Sequence, residues 1–173
     1  MPLKAASILS SWLAGWFRRP VEIASKAAFP GGQLSNFAPH AFEIDGVPCA
    51  CMEGFLQSLK FADPEMALKV CAMRGPKAKR TGRKGRWRHS QMLHWRGAAF
   101  DRHGAEYQAL LDRAYDALFE QSAGFREALA ATGTRPLAHS MGRSEPHQTV
   151  LTIEEFCGRL ARLRSRLAKV PAS

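Results

Sequence analysis

From Met52 to the C-terminal region, apolar residues recur at helical spacing, and this periodicity limits what the chain can fold into more than any other feature. Met52, Phe55, Leu56 and Leu59 stand at i, i+3, i+4 and i+7, the stripe of one helix. Pro64 to Met73 reads as a second helix, with Asp63 as its N-cap and Pro64 at its first position. Tyr107, Leu110, Leu111, Ala114, Tyr115, Leu118 and Phe119 mark a long amphipathic helix. Phe125 to Thr132 continues as a shorter one, stopped at Gly133. Thr152-Ile153-Glu154-Glu155 is a capping box that opens the last helix. Phe156, Leu160, Leu163 and Leu167 form its core face, while Arg159, Arg162, Arg166 and Lys169 read as solvated charges. The one segment with strand character is Phe42 to Val47, where Phe42-Glu43-Ile44 alternates and Asp45-Gly46 signals a tight hairpin. The pattern predicts a mainly α (α+β) single domain with a small β-hairpin near its start. Sustained βαβ alternation is missing, which disfavours a doubly wound nucleotide fold. No G-x-G-x-x-G or Walker loop is present, which argues against dehydrogenase and kinase chemistry.

The formal net charge is +10, and it is unevenly placed. Arg74, Lys77, Lys79, Arg80, Arg83, Lys84, Arg86 and Arg88 follow one another with no acid among them, loosened by Gly75, Pro76, Gly82 and Gly85. Such a run suits a polyanion, either nucleic acid or the phosphates of a nucleotide, and equally suits a solvated basic loop. The four cysteines, Cys49, Cys51, Cys71 and Cys157, have neither zinc-knuckle nor C-x-x-C spacing, so they read as small buried thiols of a cytoplasmic protein. The six histidines lack ligand spacing as well, and no metal or other cofactor is expected. No run approaches the roughly 18 apolar residues of a membrane span. Residues 1–25 read as an N-terminal extension or surface helix carrying Trp12, Leu13, Trp16 and Phe17, ahead of a domain over 26–170.

Four places hold residues suited to chemistry. On the Met52 helix, Glu53, Gln57 and Lys60 fall at i, i+4 and i+7, so an acid, an amide and an amine share one line beside the apolar stripe. A partly desolvated Glu manages protons, and a partly desolvated Lys becomes a nucleophile. The same spacing also suits an ordinary helix border. Ser35, Asn36 and Phe37 form a loop able to grip a sugar or a base, or a plain turn before a strand. Trp87 ends the basic run, where it can stack on a base while cations such as Arg83 hold phosphates, or pin the run to the core. His139, Ser140 and Gly142 lie in a late loop, where His139 is either a polar contact or structural. Ser140 beside His139 is adjacency without triad geometry.

Taken together, Leu34-Ser35-Asn36-Phe37, Phe42-Glu43-Ile44-Asp45-Gly46 and Met52-Glu53-Gly54-Phe55-Leu56-Gln57-Ser58-Leu59-Lys60-Phe61 resemble the YbiA-like, or NADAR, family. Lys77-Ala78-Lys79-Arg80-Thr81-Gly82-Arg83 followed by Trp87 resembles that family's next segment. The resemblance spans roughly Ala28 to Arg164. It implies a mainly helical fold and hydrolysis of N-glycosidic bonds of a phosphorylated ribose. The substrate is then ADP-ribose attached to guanine, as in nucleic acid carrying ADP-ribose, or a phosphoribosyl-amine intermediate of riboflavin synthesis. Glu53 and Lys60 stand at the family's catalytic glutamate and lysine. The lysine either forms a Schiff base with an opened ribose or supports the leaving group electrostatically. Ser35, Asn36, Phe37, Gln57, Arg83, Trp87, His139, Ser140 and Gly142 are the implied substrate contacts. The late stretch Leu137-Ala138-His139-Ser140-Met141-Gly142 departs from the family pattern, lacking its acid and its Trp-Gly pair, and Leu93-His94-Trp95-Arg96-Gly97 is an additional segment. Two other readings use the same residues: a non-catalytic binder of ADP-ribose or NAD derivatives, and a basic nucleic-acid-binding accessory protein.

Overall fold

The helix boundaries follow the capping chemistry of the chain. The computed structural model describes residues 19–168, so Trp12, Leu13, Trp16, Phe17 and Lys169 lie outside the described residues. In chain order the elements are β1 (Val21–Glu22), α1 (Gly31–Leu34), β2 (Phe42–Ile44), β3 (Val47–Cys49), α2 (Met52–Ser58), α3 (Pro64–Cys71), α4 (Gly75–Gly82) and α5 (Trp87–Ser90). They continue with β4 (Met92–Trp95), β5 (Ala98–Asp101), α6 (Ala105–Gln121), α7 (Ala123–Ala131), β6 (Leu137–Ala138), a 3₁₀ turn (Pro146–Gln148) and α8 (Ile153–Leu167). The Asp63 side chain accepts the Glu65 N–H to start α3, with Pro64 at its first position. At α8, Thr152 and Glu155 cap each other's backbone N–H groups, the capping box expected there.

The strands form three two-stranded pairs among the described residues. β2 and β3 are antiparallel, joined at Asp45 and Gly46, both at positive φ, which fits the two-residue turn that closes a twisted hairpin. β1 runs parallel to β6, with Val21 opposite Leu137. Ile23, just past β1, is completely buried, so the packed unit takes in residues ahead of Lys26.

The core is one cluster that joins Phe55 and Leu56 of α2 and Leu59 at its C-cap to Tyr107, Leu110 and Tyr115 of α6, Phe125 of α7 and Phe156 and Leu160 of α8. Each large apolar side chain fully removed from water contributes roughly 1.5–3 kcal/mol. Glycines let helices approach this closely. A Cβ at Gly54 would sit 2.7 Å from the Cys71 and Met73 carbonyl oxygens, so α2 seats directly on the end of α3.

Three expectations are corrected. The segment after the Met52 helix is not wholly helical, because β4 and β5 form a second hairpin in which Trp95 faces Ala98. Its turn, Arg96-Gly97, has both residues at positive φ, and Arg there lacks the Asn or Asp that marks such turns in a sequence. The basic run is not a loop throughout, since Gly75 to Gly82 form α4. Ala78 and Gly82 of that helix face inward and leave the cations outside. Arg159 is no solvated charge. Only 7% exposed, it places Nε 2.9 Å from Asp112 Oδ1 and donates through Nη2 to Gln108 Oε1 at 2.9 Å. Arg162 and Arg166 each lie 2.8 Å from Asp116 Oδ1 and so bind α8 to α6.

Candidate functional site

The site is built on α2, whose residues are all buried. Glu53 is 3% exposed and Gln57 is 1% exposed, one turn apart on the same face. Gln57 Nε2 donates to Glu53 Oε1 at 2.8 Å, and Lys60 Nζ donates to Gln57 Oε1 at 2.5 Å. The order of this chain is set by chemistry. A carboxylate only accepts and an ammonium only donates, so the amide between them must turn its NH₂ to Glu53 and its oxygen to Lys60. Lys79 of α4 completes the group, with Nζ 3.2 Å from Glu53 Oε1. Lys79 is half exposed, so a buried carboxylate is neutralised from a solvent-facing helix.

The same contacts tune the amine. Burial pushes the Lys60 pKa down from 10.5 to about 8; the nearby Lys79 and Arg88 charges push the same way, and Glu53 opposes them. A neutral Lys60 keeps N–H groups for Gln57, and its lone pair points elsewhere. Both contacts to Glu53 fall on Oε1, and Oε2 takes no hydrogen bond among the described residues. The arrangement therefore offers one carboxylate oxygen able to take a proton and one amine able to act as a nucleophile.

Of the expected loop residues, Asn36 joins this group. Its carbonyl accepts the Glu53 N–H at 2.8 Å, which ties the loop to the first turn of α2. Ser35 Oγ accepts the Phe37 N–H at 3.2 Å and shapes the same loop. Phe37 packs beside Gly75, where an added Cβ would meet its ring at 3.4 Å. On the other side, α4 presses against Gln57, since a Cβ on Gly82 would lie 1.9 Å from Gln57 Oε1. Arg83 caps the end of α4 and is exposed.

The remaining expected contacts make no hydrogen bond to the Glu53–Gln57–Lys60 chain among the described residues. Trp87 is 4% exposed and belongs to the core, with the Arg88 guanidinium 5.9 Å from its ring centroid. A ring buried to this degree anchors the segment after α4 and has little free face for stacking. His139 Nδ1 pairs with the Ile23 carbonyl at 2.7 Å, and its ring meets Phe156 edge-on at 5.1 Å. Ser140 donates through N and Oγ to Glu22 Oε1. A Cβ on Gly142 would lie 2.7 Å from His139 Cδ2. Among the described residues, no hydrogen bond or ion pair links His139, Ser140 or Gly142 to Glu53, Gln57 or Lys60.

Two site residues escape sequence reasoning. Lys79 is one of eight cations in a row, and nothing local marks which of them reaches Glu53. Tyr115 belongs to the apolar stripe of α6, yet its hydroxyl donates to Asn36 Oδ1 at 2.7 Å. The signal available for it was general: a buried Tyr brings a polar tip that needs a partner. Burial holds this hydroxyl well above its usual pKa, so it remains a donor.

Among the described residues, eight helices and three small β pairs, with Glu53 and Gln57 on the helix after the first hairpin and Lys60 just past its end, make up a YbiA-like α+β fold. The NMR structure of the E. coli protein YbiA matches it with a TM-score of 0.57 over 87% of each chain, at 22% sequence identity, a likeness of fold. The family described as Bacteriophage protein GP30.3 matches residues 28–165, and the chain belongs to that family. A relative from Enterobacteria phage T4, an uncharacterized 17.1 kDa protein in the Gp30-rIII intergenic region, is 34% identical over 149 residues. That match covers 85% of this chain and 98% of the relative. No described helix is long and apolar enough to cross a membrane.

Proposed function

We propose that this protein is an N-glycoside hydrolase acting on a phosphorylated ribose, with Glu53 and Lys60 at the reacting centre. The observation that carries the reading is the buried chain from Glu53 through Gln57 to Lys60, closed by Lys79. Burying a carboxylate costs desolvation that Gln57 and Lys79 offset, and buried titratable groups held this way concentrate at functional sites. In the reaction, a water oxygen bonds to the anomeric carbon as the carbon–nitrogen bond breaks. The bonding electron pair leaves on the base nitrogen. Glu53 takes the water's proton, and a proton is returned to the departing nitrogen. Lys60, with a pKa of about 8, is neutral in roughly one molecule in ten at pH 7. On a ring-opened substrate, where C1 is an imine of the base nitrogen, that neutral amine offers a second route. It adds to C1, the base nitrogen leaves with a proton, and water then hydrolyses the Lys60 Schiff base to free amine and sugar aldehyde. On the closed ring the protonated form supports the leaving group. Exposed cations of α4 and Arg83 at its C-cap are suited to the phosphates, and Asn36 and Phe37 border the sugar. The substrate classes that fit are ADP-ribosylated guanine, free or in nucleic acid, and a phosphoribosyl-amine pyrimidine.

The test is direct. Wild-type protein and Glu53→Gln are incubated with an ADP-ribosylated guanine oligonucleotide and with the phosphoribosyl-amine pyrimidine. Release of base or sugar phosphate by the wild type alone is expected. Binding of ADP-ribose by both forms with product from neither would replace hydrolysis with a binding role. Salt-sensitive binding of unmodified duplex DNA, again without turnover, would favour a nucleic-acid accessory. Borohydride trapping of Lys60, absent in Lys60→Ala, separates a Schiff base from electrostatic support.

A further inference from the structure

Asn36 is held from two directions. Its backbone carbonyl takes the Glu53 N–H at 2.8 Å, and its side-chain oxygen takes the Tyr115 hydroxyl proton at 2.7 Å. An Asn side chain can present either its oxygen or its NH₂ to a partner, and a Tyr hydroxyl can donate or accept. Here the choice is settled by burial. Tyr115 is completely buried, and its proton has no acceptor among the described residues except Asn36 Oδ1. Were the amide reversed, that proton would be stranded inside the core. The amide is therefore fixed with Oδ1 on Tyr115 and Nδ2 turned away from it. Nδ2 donates to nothing among the described residues, and Asn36 is only half buried.

We infer that Tyr115 is a positioning residue, which locks Asn36 as a hydrogen-bond donor to a sugar oxygen of the substrate whose anomeric carbon faces Glu53. The inference rests on the N-glycosidase reading for the identity of that sugar. The donor's orientation can be tested without it. A fixed amide donor is suited to a sugar oxygen, and the free Oε2 of Glu53 is left for the attacking water. The Asn36 O to Glu53 N bond holds the backbone of the loop on the first turn of α2. Tyr115 never touches the sugar and acts through Asn36.

Two measurements on the full chain decide it. The first is the ¹H–¹⁵N signal of the Asn36 side-chain amide. One sharp pair is expected in the wild type, and Tyr115→Phe should shift or broaden it as the freed amide samples both orientations. An unmoved pair overturns the inference. The second is ADP-ribose affinity by calorimetry. Loss of the lock reduces the competent fraction, so Tyr115→Phe should weaken binding ~3- to 10-fold. In an Asn36→Asp background, which has no NH₂ to orient, Tyr115→Phe should cost nothing more. Equal losses in both backgrounds would make Tyr115 merely structural and overturn the inference. If Tyr115→Phe fails to fold, Asn36→Asp carries the test together with Asn36→Leu, because Asp keeps an acceptor for the hydroxyl but adds a charge, while Leu removes the donor without one; affinity must fall in both. Unchanged affinity in either is a refutation. If the wild type does not bind ADP-ribose, the N-glycosidase reading loses support, while the amide signal still decides the orientation.

Discussion

Gln57 stands between Glu53 and Lys60 as an obligatory adaptor, its NH₂ on the acid at 2.8 Å and its oxygen on the amine at 2.5 Å. The adaptor links a buried acid on α2 to a half-buried amine just past its end without direct contact between the charges. It keeps the acid able to accept a proton and the amine able to lose one. The chain is directional, so changes at either end have calculable signs.

Glu53→Gln removes the one group that raises the Lys60 pKa against burial, Lys79 and Arg88. The Lys60 pKa should therefore fall below about 8. Monitoring the pH dependence of Lys60 acylation by mass spectrometry checks this, with a rise or no change counting against the coupling. Turnover should drop by roughly 10²- to 10⁴-fold, the usual contribution of a positioned acid–base group. The fold should survive, because Lys79 is half exposed and regains water when its partner goes.

Lys60→Met should raise stability while activity is lost. A lysine whose pKa is lower in the folded state opposes folding whenever the folded chain carries the charge. The fall from 10.5 to about 8 corresponds to roughly 3 kcal/mol. Met removes that cost but forfeits the Gln57 contact, leaving a net gain of about 1 kcal/mol at pH 7. Below pH 8 both folded and unfolded lysines are protonated, and the wild type bears the full cost. Between 8 and 10.5 the unfolded state binds more protons, so wild-type stability rises with pH relative to Lys60→Met. Denaturant melts at pH 7 and 10 should show the gap between the two proteins closing.

Much of this site was legible in the chain because it is local. Glu53, Gln57 and Lys60 sit at helical spacing, and the periodicity that makes α2 also aligns them. The Asp63 N-cap, the apolar stripe of Tyr107 to Phe119 and the Thr152 capping box placed α3, α6 and α8 for the same reason. What stayed hidden depends on distant partners. Lys79 reaches Glu53 only because α4 folds back onto α2. Tyr115 is an ordinary core residue until Asn36, 79 positions away, meets its hydroxyl. Arg159 has the spacing of a solvated charge, and only Asp112 and Gln108 on α6 make its burial tolerable. The β4–β5 hairpin was masked because β5 offers little alternation and its turn opens with Arg96.

Arg102 and Glu155 should act as a structural staple. Arg102 is 1% exposed and meets both carboxylate oxygens, at 2.9 and 2.7 Å. Burial acts to raise the Glu155 pKa, but the hydrogen bonds from Arg102, the Thr152 backbone and Gln108 hold it below the usual value. Its contribution is complete above the unfolded value near 4.5 and is lost as pH falls through the lower folded value. Glu155→Gln leaves the Arg102 charge buried without a counter-ion and should cost roughly 3–5 kcal/mol at pH 7. Urea midpoints should show this deficit shrinking below pH 4. A constant deficit would mean the ion pair is not its source.

Gly82→Ala and Gly158→Ala test whether close helix packing serves the site. At Gly82 the added methyl would meet Gln57 Oε1 at 1.9 Å and Gln57 Cβ at 2.8 Å, so rotating the amide alone does not clear the clash. Either α4 withdraws from α2, or Gln57 leaves its place between Glu53 and Lys60. Stability should fall by about 1–3 kcal/mol despite the better helix propensity of Ala. Turnover should fall further than stability explains, because the adaptor is displaced. Gly158 lies within α8 with open space where its Cβ would go. Ala there should add about 0.5–1 kcal/mol and leave turnover unchanged. Thermal melts paired with initial rates for both variants separate the outcomes. If Gly82→Ala keeps full activity at a lowered melting temperature, the α2–α4 contact supports the fold alone and Gln57 is not the adaptor.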